Sequence, residues 1–430
     1  MTTAAGAAPT TPVGGGAGIR RGWAIVGALA VTQTVGYGVQ MYAFTVLLLP
    51  MAADLHASTT AVTAAMTASV LAGAVAAVPV GRWLDRRGGR VLMTTGSVLA
   101  TLFVAAWSRV DSLPELYAAL IGVGLAGAMM LYEPAFAVVV TWFPDPRTRA
   151  TALLAVTVVA GFASSIFLPL TGYLVAAHGW RIALLILAVA HGVVTIPLHA
   201  LFVRRPTATA AGVGDPPPTV HRPMRTVLYD RRFVLLAVAF VAHAAALSAF
   251  TIHLVAYLVE LGHSAAVGAS IAGLLGLLSV TGRLATTAAQ RRLPPTVVVA
   301  TIFALQALAA AALPLIGATV AGAVAAVVAF GLGFGVATIA RPLLLTHLFG
   351  TAGFATLAGA LAVPVIIARA LAPLGAAAVH DSTGSYPAVF VTIGLGCAVA
   401  AAGIARLGRS SPRTADRALN VLPPPTGTHG

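Results

Sequence analysis

Twelve long apolar segments follow one another along this 430-residue chain and constrain its fold more than any other feature. A helix needs roughly 20 such residues to cross a bilayer. Only 8% of the residues are charged, against about 25% in a typical soluble protein. The sequence therefore predicts an all-α integral membrane protein with twelve transmembrane helices, spans 1 to 12, over residues 22–49, 60–81, 91–108, 115–142, 151–176, 182–203, 233–259, 266–289, 296–316, 320–345, 354–379 and 387–407.

The 25 basic residues are all arginine, and their positions predict how the spans are oriented. Twenty lie in the two tails and in the loops after spans 2, 4, 6 and 8, which we call the basic side, whereas the loops on the opposite side hold Arg109 and Arg181. Arginine-rich loops stay in the cytoplasm. We therefore expect a bacterial inner (plasma) membrane protein with both termini cytoplasmic. The net charge of +14 reflects this topology, and nucleic acid is not expected as a partner.

A long polar stretch at 204–232 interrupts the apolar pattern, and its Pro, Gly and Thr content predicts a cytoplasmic linker. It divides the chain into a six-span half at 22–203 and a second at 233–407. Tails are expected at 1–21, which we predict to be disordered, and at 408–430.

The two halves repeat one another locally. At a constant offset of 208, three positions of span 4 align with three of span 10: Gly127, Glu133 and Pro134 match Gly335, Arg341 and Pro342. The sequence "LPLTG" at 168–172 similarly matches "APLG" at 372–375. This order predicts two halves related by pseudo-symmetry.

The loop between spans 2 and 3 reads "GRWLDRRGGR". It is similar to the signature of the major facilitator superfamily, which here falls on Gly81, Asp85, Arg86, Gly88 and Arg90. The resemblance implies the facilitator fold, and it implies a gate in which contacts of Asp85 and the arginines break when the halves rock. The second-half counterpart has Thr286 in place of the aspartate. We therefore expect a charge-based closure to be stronger in the first half.

Further segments resemble bacterial relatives of the monocarboxylate and oxalate/formate carriers: "GYGVQMYAFTVLLLPMAADL" at 36–55, "HGWR" at 178–181 and "HDSTGSYPAVF" at 380–390. In that branch, basic residues of spans 8 and 11 bind the carboxylate of the substrate, which implies these roles for Arg283 and Arg369. Ser279 stands where animal monocarboxylate carriers have an aspartate, so their proton-coupling scheme does not transfer directly.

Four charged residues fall inside the spans: Glu133, Arg283, Arg341 and Arg369. A charge at this depth costs about 2.5–3.5 kcal/mol and tends to face a cavity or a partner. Arg369 is near the middle of span 11 and is predicted to bind substrate. Arg283 is nearer the basic side and aligns with Arg82, so a gate role is the alternative. Arg341 either contacts substrate or pairs with Glu133.

Glu133 has three interpretations: a structural acid bonded to neighbouring helices, a partner of a basic residue across the cavity, or the proton carrier. The last two are compatible. The second half holds all three buried arginines and the first half the buried acid. This asymmetry predicts an anion held mainly by the second half and moved by alternating access, with Glu133 as the candidate for proton coupling.

Uncharged polar residues inside the spans are the remaining candidates for orienting a substrate. Tyr37 and Gln40 share a helical face with Gln33. Lone histidines are more often interhelical donors than ligands. The predicted substrate contacts are Gln33, Tyr37, Gln40, Tyr132, His243 and His253, with Tyr42 as a further polar candidate.

The sequence indicates a transporter and not an enzyme, because it has no phosphate-binding loop, metal-ligand cluster or nucleophile elbow. Cys397 is the one cysteine, which excludes an intramolecular disulfide and a multi-cysteine metal site. Neither a metal nor a cofactor is expected. We predict secondary transport, by symport or antiport, of a small carboxylate by a monomer in the lipid bilayer. The alternative is proton-coupled export of a drug or natural product, although the span 4 and span 5 patterns that drug antiporters share are missing. A sensor is a third class.

Overall fold

The computed structural model of the protein describes residues 15–205 and 224–409. The predicted tails up to residue 14 and from residue 410, and the predicted linker over 206–223, lie outside the described residues. Every regular element in the described parts is a helix.

The first half begins with a span that changes helix type at its middle. In chain order its helices are Gly15–Tyr37, the π-helical Gly38–Tyr42 and Ala43–Asp54 in span 1, Thr59–Arg87 in span 2, Gly89–Trp107 in span 3, Leu113–Met130 and Tyr132–Trp142 in span 4, and Pro146–Ala160 and Ala163–Phe202 in spans 5 and 6. Span 1 therefore starts earlier than the predicted residue 22.

The helix Ala163–Phe202 is too long for one crossing. Its 40 residues correspond to about 60 Å at 1.5 Å per residue, twice the bilayer core of about 30 Å. Gly179, with φ 76° and ψ 165°, interrupts it. A positive φ favours glycine because it has no Cβ. The 11 long apolar helical stretches in the described residues therefore provide twelve spans, which confirms the predicted fold.

The second half repeats this arrangement after the short helix Met224–Leu228. Its helices are Arg231–Glu260 in span 7, Ala265–Ala289 in span 8, Pro295–Ile316 in span 9, Val320–Gly331 and Val336–Phe349 in span 10, Phe354–Thr383 in span 11 and Tyr386–Arg409 in span 12.

Span 4 is interrupted just before its buried acid. Leu131 leaves the helical conformation, with φ −79° and ψ −154°, between the helices that end at Met130 and begin at Tyr132. Pro134 has no N–H, so it cannot donate to the carbonyl of Met130 four residues earlier. Span 10 is also interrupted, over residues 332–335.

The apolar core joins the two halves on one side only. On the basic side, a single cluster contains Val80 and Val139 from the first half and Leu344 and Leu361 from the second. On the opposite side, each half has a separate cluster made of its own residues. The space between the halves is therefore closed towards the basic side and open towards the opposite side.

Glycines allow spans 2 and 11 to approach closely where the halves meet. A Cβ on Gly81 would overlap the backbone of Ala355, and a Cβ on Gly359 would overlap the backbone of Ala77. Any larger residue at these positions must push the two helices apart, because backbone atoms cannot rotate away as a flexible side chain can.

Gly81→Ala is therefore expected to open the basic side. A reporter cysteine in place of Ala358, which is buried in the cluster that joins the halves, can be placed in a Cys397→Ser chain. Its reaction with a water-soluble thiol reagent should accelerate about tenfold, which is the effect of about 1.4 kcal/mol on an equilibrium. Gly375→Ala is the control, because nothing lies within 4 Å of a Cβ there. Equal rates in both variants would contradict the steric argument.

Candidate functional site

A cavity of about 530 Å³ lies between the two halves at the level where spans 4 and 10 are interrupted. Both halves contribute to its wall. Of the residues predicted from the sequence to contact substrate or protons, the wall includes Tyr37, Gln40, Tyr132, Glu133, His243, Arg283, Arg341 and Arg369. Tyr42 also lines it.

Glu133 and Arg341 form an ion pair across this cavity. The Arg341 Nη1 atom lies 3.3 Å from the Glu133 Oε1 atom. The Glu133 side chain is 34% exposed and the Arg341 side chain is 23% exposed, so solvent or a ligand can reach the pair. Beside it, the rings of Tyr37 and Tyr132 lie 4.6 Å apart. The contact joins equivalent positions of the two halves, separated by the offset of 208.

Arg283 is buried between the halves, with 8% exposure. Its Nη1 donates to the Thr157 carbonyl of span 5 over 2.6 Å, and its Nε donates to the Gly335 carbonyl of span 10 over 3.3 Å. Gly161 and Gly335 leave the room that its guanidinium occupies. Among the ion pairs of the described residues, none involves Arg283. Backbone carbonyls of both halves therefore hold this cation.

Arg369 lies on the same cavity but is exposed. Its backbone carbonyl accepts a hydrogen bond from Ser248 Oγ over 2.8 Å, which ties span 11 to span 7. The ion pairs found in the described parts of the chain leave its guanidinium without a carboxylate partner. The cavity thus presents three guanidinium groups to one carboxylate.

His243 and Gln40 reach the wall but are held by protein partners. His243 is 1% exposed, lies 2.8 Å from Gln306 Oε1 through its Nε2 and stacks on Phe303. Gln40 is 2% exposed and contacts His191 over 3.4 Å. Their polar atoms are directed mainly into the two halves.

The structure places Gln33 and His253 away from the cavity wall. Gln33 is fully buried and its Nε2 donates to the Met130 carbonyl over 2.8 Å. His253 Nε2 lies 3.1 Å from the Pro373 carbonyl, so it links spans 7 and 11. Neither side chain is positioned to orient a ligand in this structure.

The predicted gate motif contacts the second half through a helix end. The Asp85 carboxylate accepts hydrogen bonds from the backbone N–H groups of Ala355 (3.1 Å) and Thr356 (2.9 Å) and from the Thr356 hydroxyl (2.5 Å). These donors belong to the first turn of span 11, where the helix dipole favours a negative charge. The ion pairs of the described residues include none between Asp85 and an arginine of the motif.

The other motif residues hold the first half together on the basic side. Gly88, with φ 79°, ends span 2. Arg90 Nε donates to the Ala200 carbonyl over 2.7 Å, and the Arg86 carbonyl accepts from Arg205 Nη2 over 2.6 Å. The sequence did not indicate these backbone contacts.

Two buried histidines of span 6, His191 and His199, are not among the residues predicted from the sequence. His199 lies 2.7 Å from Ser97 Oγ and 3.0 Å from Thr32 Oγ1, and His191 lies 2.9 Å from Thr101 Oγ1. Each is a histidine in an otherwise apolar span, the same pattern that identified His243 and His253 in span 7.

The chain is similar in sequence to known membrane transporters. A family model described as Major Facilitator Superfamily matches residues 29–365. Monocarboxylate transporter 11 of Mus musculus is 31% identical over 219 residues, which are 49% of this chain and 46% of that protein. The chain thus matches about half the length of this relative.

Solved structures share the fold at low sequence identity. A variant of the E. coli fucose:proton symporter FucP matches with a TM-score of 0.70 and 13% identity, covering 89% of this chain and 98% of FucP. FucP in an outward conformation matches with a TM-score of 0.68 and 15% identity over the same shares. With a family model covering most of its length, this chain belongs to the major facilitator superfamily, a family of multi-pass membrane transporters and not of enzymes.

Proposed function

We propose that this transporter moves a small organic anion bearing a carboxylate across the inner membrane of a bacterium by alternating access. The charge balance of the cavity is the observation that supports this most directly. Glu133 pairs with Arg341, which leaves Arg283 and Arg369 facing the same space. Unneutralised charges at this depth are costly, so an anion that binds both guanidinium groups would stabilise the loaded carrier.

The similarity to a protein named as a monocarboxylate transporter agrees with an anionic substrate. The cavity volume of about 530 Å³ is at the size of a small-molecule site, typically about 300–1,000 Å³. Two guanidinium groups also disfavour the cationic compounds that many exporters carry, because like charges repel in a low dielectric.

The arginine distribution supports a cytoplasmic basic side, and this structure is then open to the outside. Substrate would reach the exposed Arg369 first. The six-span halves would then rock about the cavity. Asp85 would leave the first turn of span 11 as the basic side opens, which is the gating role proposed for the motif at 81–90.

Counterflow in proteoliposomes tests the substrate class. Purified protein is loaded with one unlabelled compound and offered its labelled form, across a panel of small carboxylates and hydrophobic drugs, with and without a pH gradient. We expect flux of at least one carboxylate. Arg369→Gln should reduce that flux at least about tenfold, the loss expected from one charge-assisted contact of about 1.5–3 kcal/mol.

Arg109→Gln is the matched control, because Arg109 is exposed in a loop on the opposite side and lies outside the cavity wall. Its flux should equal that of the unmodified protein. Drug flux without any carboxylate flux would overturn the proposal and favour export of a drug or natural product. Equal losses in both arginine variants would contradict a specific role for Arg369.

A further inference from the structure

The interruption of span 4 leaves a backbone acceptor that the helix cannot satisfy. Met130 is four residues before Pro134, whose nitrogen carries no hydrogen, so the Met130 carbonyl has no donor from its own helix. A buried carbonyl without a donor destabilises the folded state, because it has lost its hydrogen bonds to water. Some other group must donate to it if the interruption is to be stable.

Gln33 of span 1 supplies that donor. Its Nε2 lies 2.8 Å from the Met130 carbonyl oxygen, and the side chain is fully buried. The side chain of Met130 is held as well, because Gln40 Nε2 and Ser97 Oγ each lie 3.7 Å from its sulfur atom. We call Gln33, Gln40 and Ser97 the Met130 contacts.

The two buried histidines of span 6 support these contacts from behind. His191 lies 3.4 Å from Gln40 Nε2, and His199 lies 2.7 Å from Ser97 Oγ. Residues of spans 1 and 3 therefore contact Met130 of span 4, and the two histidines of span 6 contact Gln40 and Ser97 in turn. Because the protein interior is close-packed and changes little in volume, this network fixes where the helix Tyr132–Trp142 begins.

We propose that Gln33 is a positioning residue for Glu133. Glu133 lies in the first turn of the helix that starts after the interruption, three residues after Met130. Holding the Met130 carbonyl therefore holds the carboxylate opposite Arg341, to which it is paired at 3.3 Å. The functional importance of this position rests on the proposed role of Glu133 in transport, whereas the geometric coupling does not.

A double-variant cycle in thermal unfolding tests the coupling without any substrate. Gln33→Met keeps the length of the side chain and removes the donor, and Glu133→Gln weakens the ion pair. If Gln33 acts through Glu133, the loss in Tm for the double variant should be smaller than the sum of the two single losses by about 1 °C, the shift expected for coupling of about 1 kcal/mol in a chain of this length. Thr34→Val is the control, because its buried hydroxyl donates to Ala30 of the same helix, and it should be additive with Glu133→Gln.

Additive losses for Gln33→Met would overturn the proposal and leave Gln33 as a packing residue. If Gln33→Met does not accumulate, Gln33→Asn replaces it, since the shorter amide cannot reach the carbonyl. A transport measurement adds a second readout. The ratio of proton-driven uptake to exchange should fall in Gln33→Met and stay unchanged in Thr34→Val. Absence of carboxylate flux would refute the proposed function, whereas the unfolding cycle would still decide the coupling.

Discussion

Replacing Glu133 by glutamine is expected to abolish uptake driven by a proton gradient while substrate exchange at equal pH continues. Glutamine has nearly the same volume and keeps an oxygen that can accept from Arg341, 3.3 Å away in this structure. Its amide cannot bind or release a proton as the carboxyl can. Among the described residues that line the cavity, Glu133 is the one acidic residue, so none of them offers a second carboxylate.

The ion pair explains how such a residue can exchange a proton during transport. Both partners are partly exposed to the cavity, and they belong to different halves. When the halves rock, or when an anion takes Arg341, the carboxylate would lose the stabilising positive charge beside it, and return of Arg341 would restore that charge. We propose that this exchange of partners ties proton transfer at Glu133 to the conformational cycle.

Proteoliposomes loaded with a transported carboxylate provide the measurement. Uptake against a concentration gradient with an imposed pH difference is compared with exchange at one pH. Glu115→Gln is the control, because Glu115 belongs to the same span but lies at its exposed start, and it should retain both activities. Loss of both activities in Glu133→Gln would favour the structural interpretation, and retention of both would place coupling elsewhere.

The meeting of Glu133 and Arg341 was a possibility that the sequence raised through the offset of 208. Equivalent residues of two pseudo-symmetric halves come together only when they lie near the axis that relates the halves. The repeat identifies equivalent positions, but it contains no information about their distance from that axis. The twelve spans, in contrast, follow directly from the length of the apolar segments and the thickness of a bilayer.

The contact partners of Gln33 and Asp85 could not be predicted from the pattern of side chains along the sequence. Helical periodicity indicates that Gln33 and Gln40 share a face, and both do contact Met130. It does not indicate whether that face packs on a cavity or on span 4. The partners of Asp85 are mainly backbone N–H groups at the start of span 11, and every helix has such donors whatever its sequence.

Replacing Arg283 by glutamine is expected to open the basic side of the unloaded carrier. In the closed form its guanidinium donates to the Thr157 carbonyl of the first half over 2.6 Å. A hydrogen bond from a charged donor contributes about 1.5–3 kcal/mol, and each 1.4 kcal/mol is about tenfold in an equilibrium. The labelling rate of a cysteine at Ala358 should therefore rise roughly ten- to hundredfold. Arg291→Gln is the control, because Arg291 is exposed on the same side.

A transported anion should have the same effect on the unmodified protein, for a specific reason. Arg283 lines the cavity and is held by uncharged carbonyls, so a substrate carboxylate is a stronger acceptor than either partner it would replace. Binding would withdraw the guanidinium from Thr157 and release the first half from the second. Substrate should thus accelerate labelling of the cysteine at Ala358 when Arg283 is present and have no further effect in Arg283→Gln. If substrate accelerated both equally, the contact between Arg283 and Thr157 would not be the link between binding and opening. Asp85 of span 2, which contacts the start of span 11, would then become the residue to test.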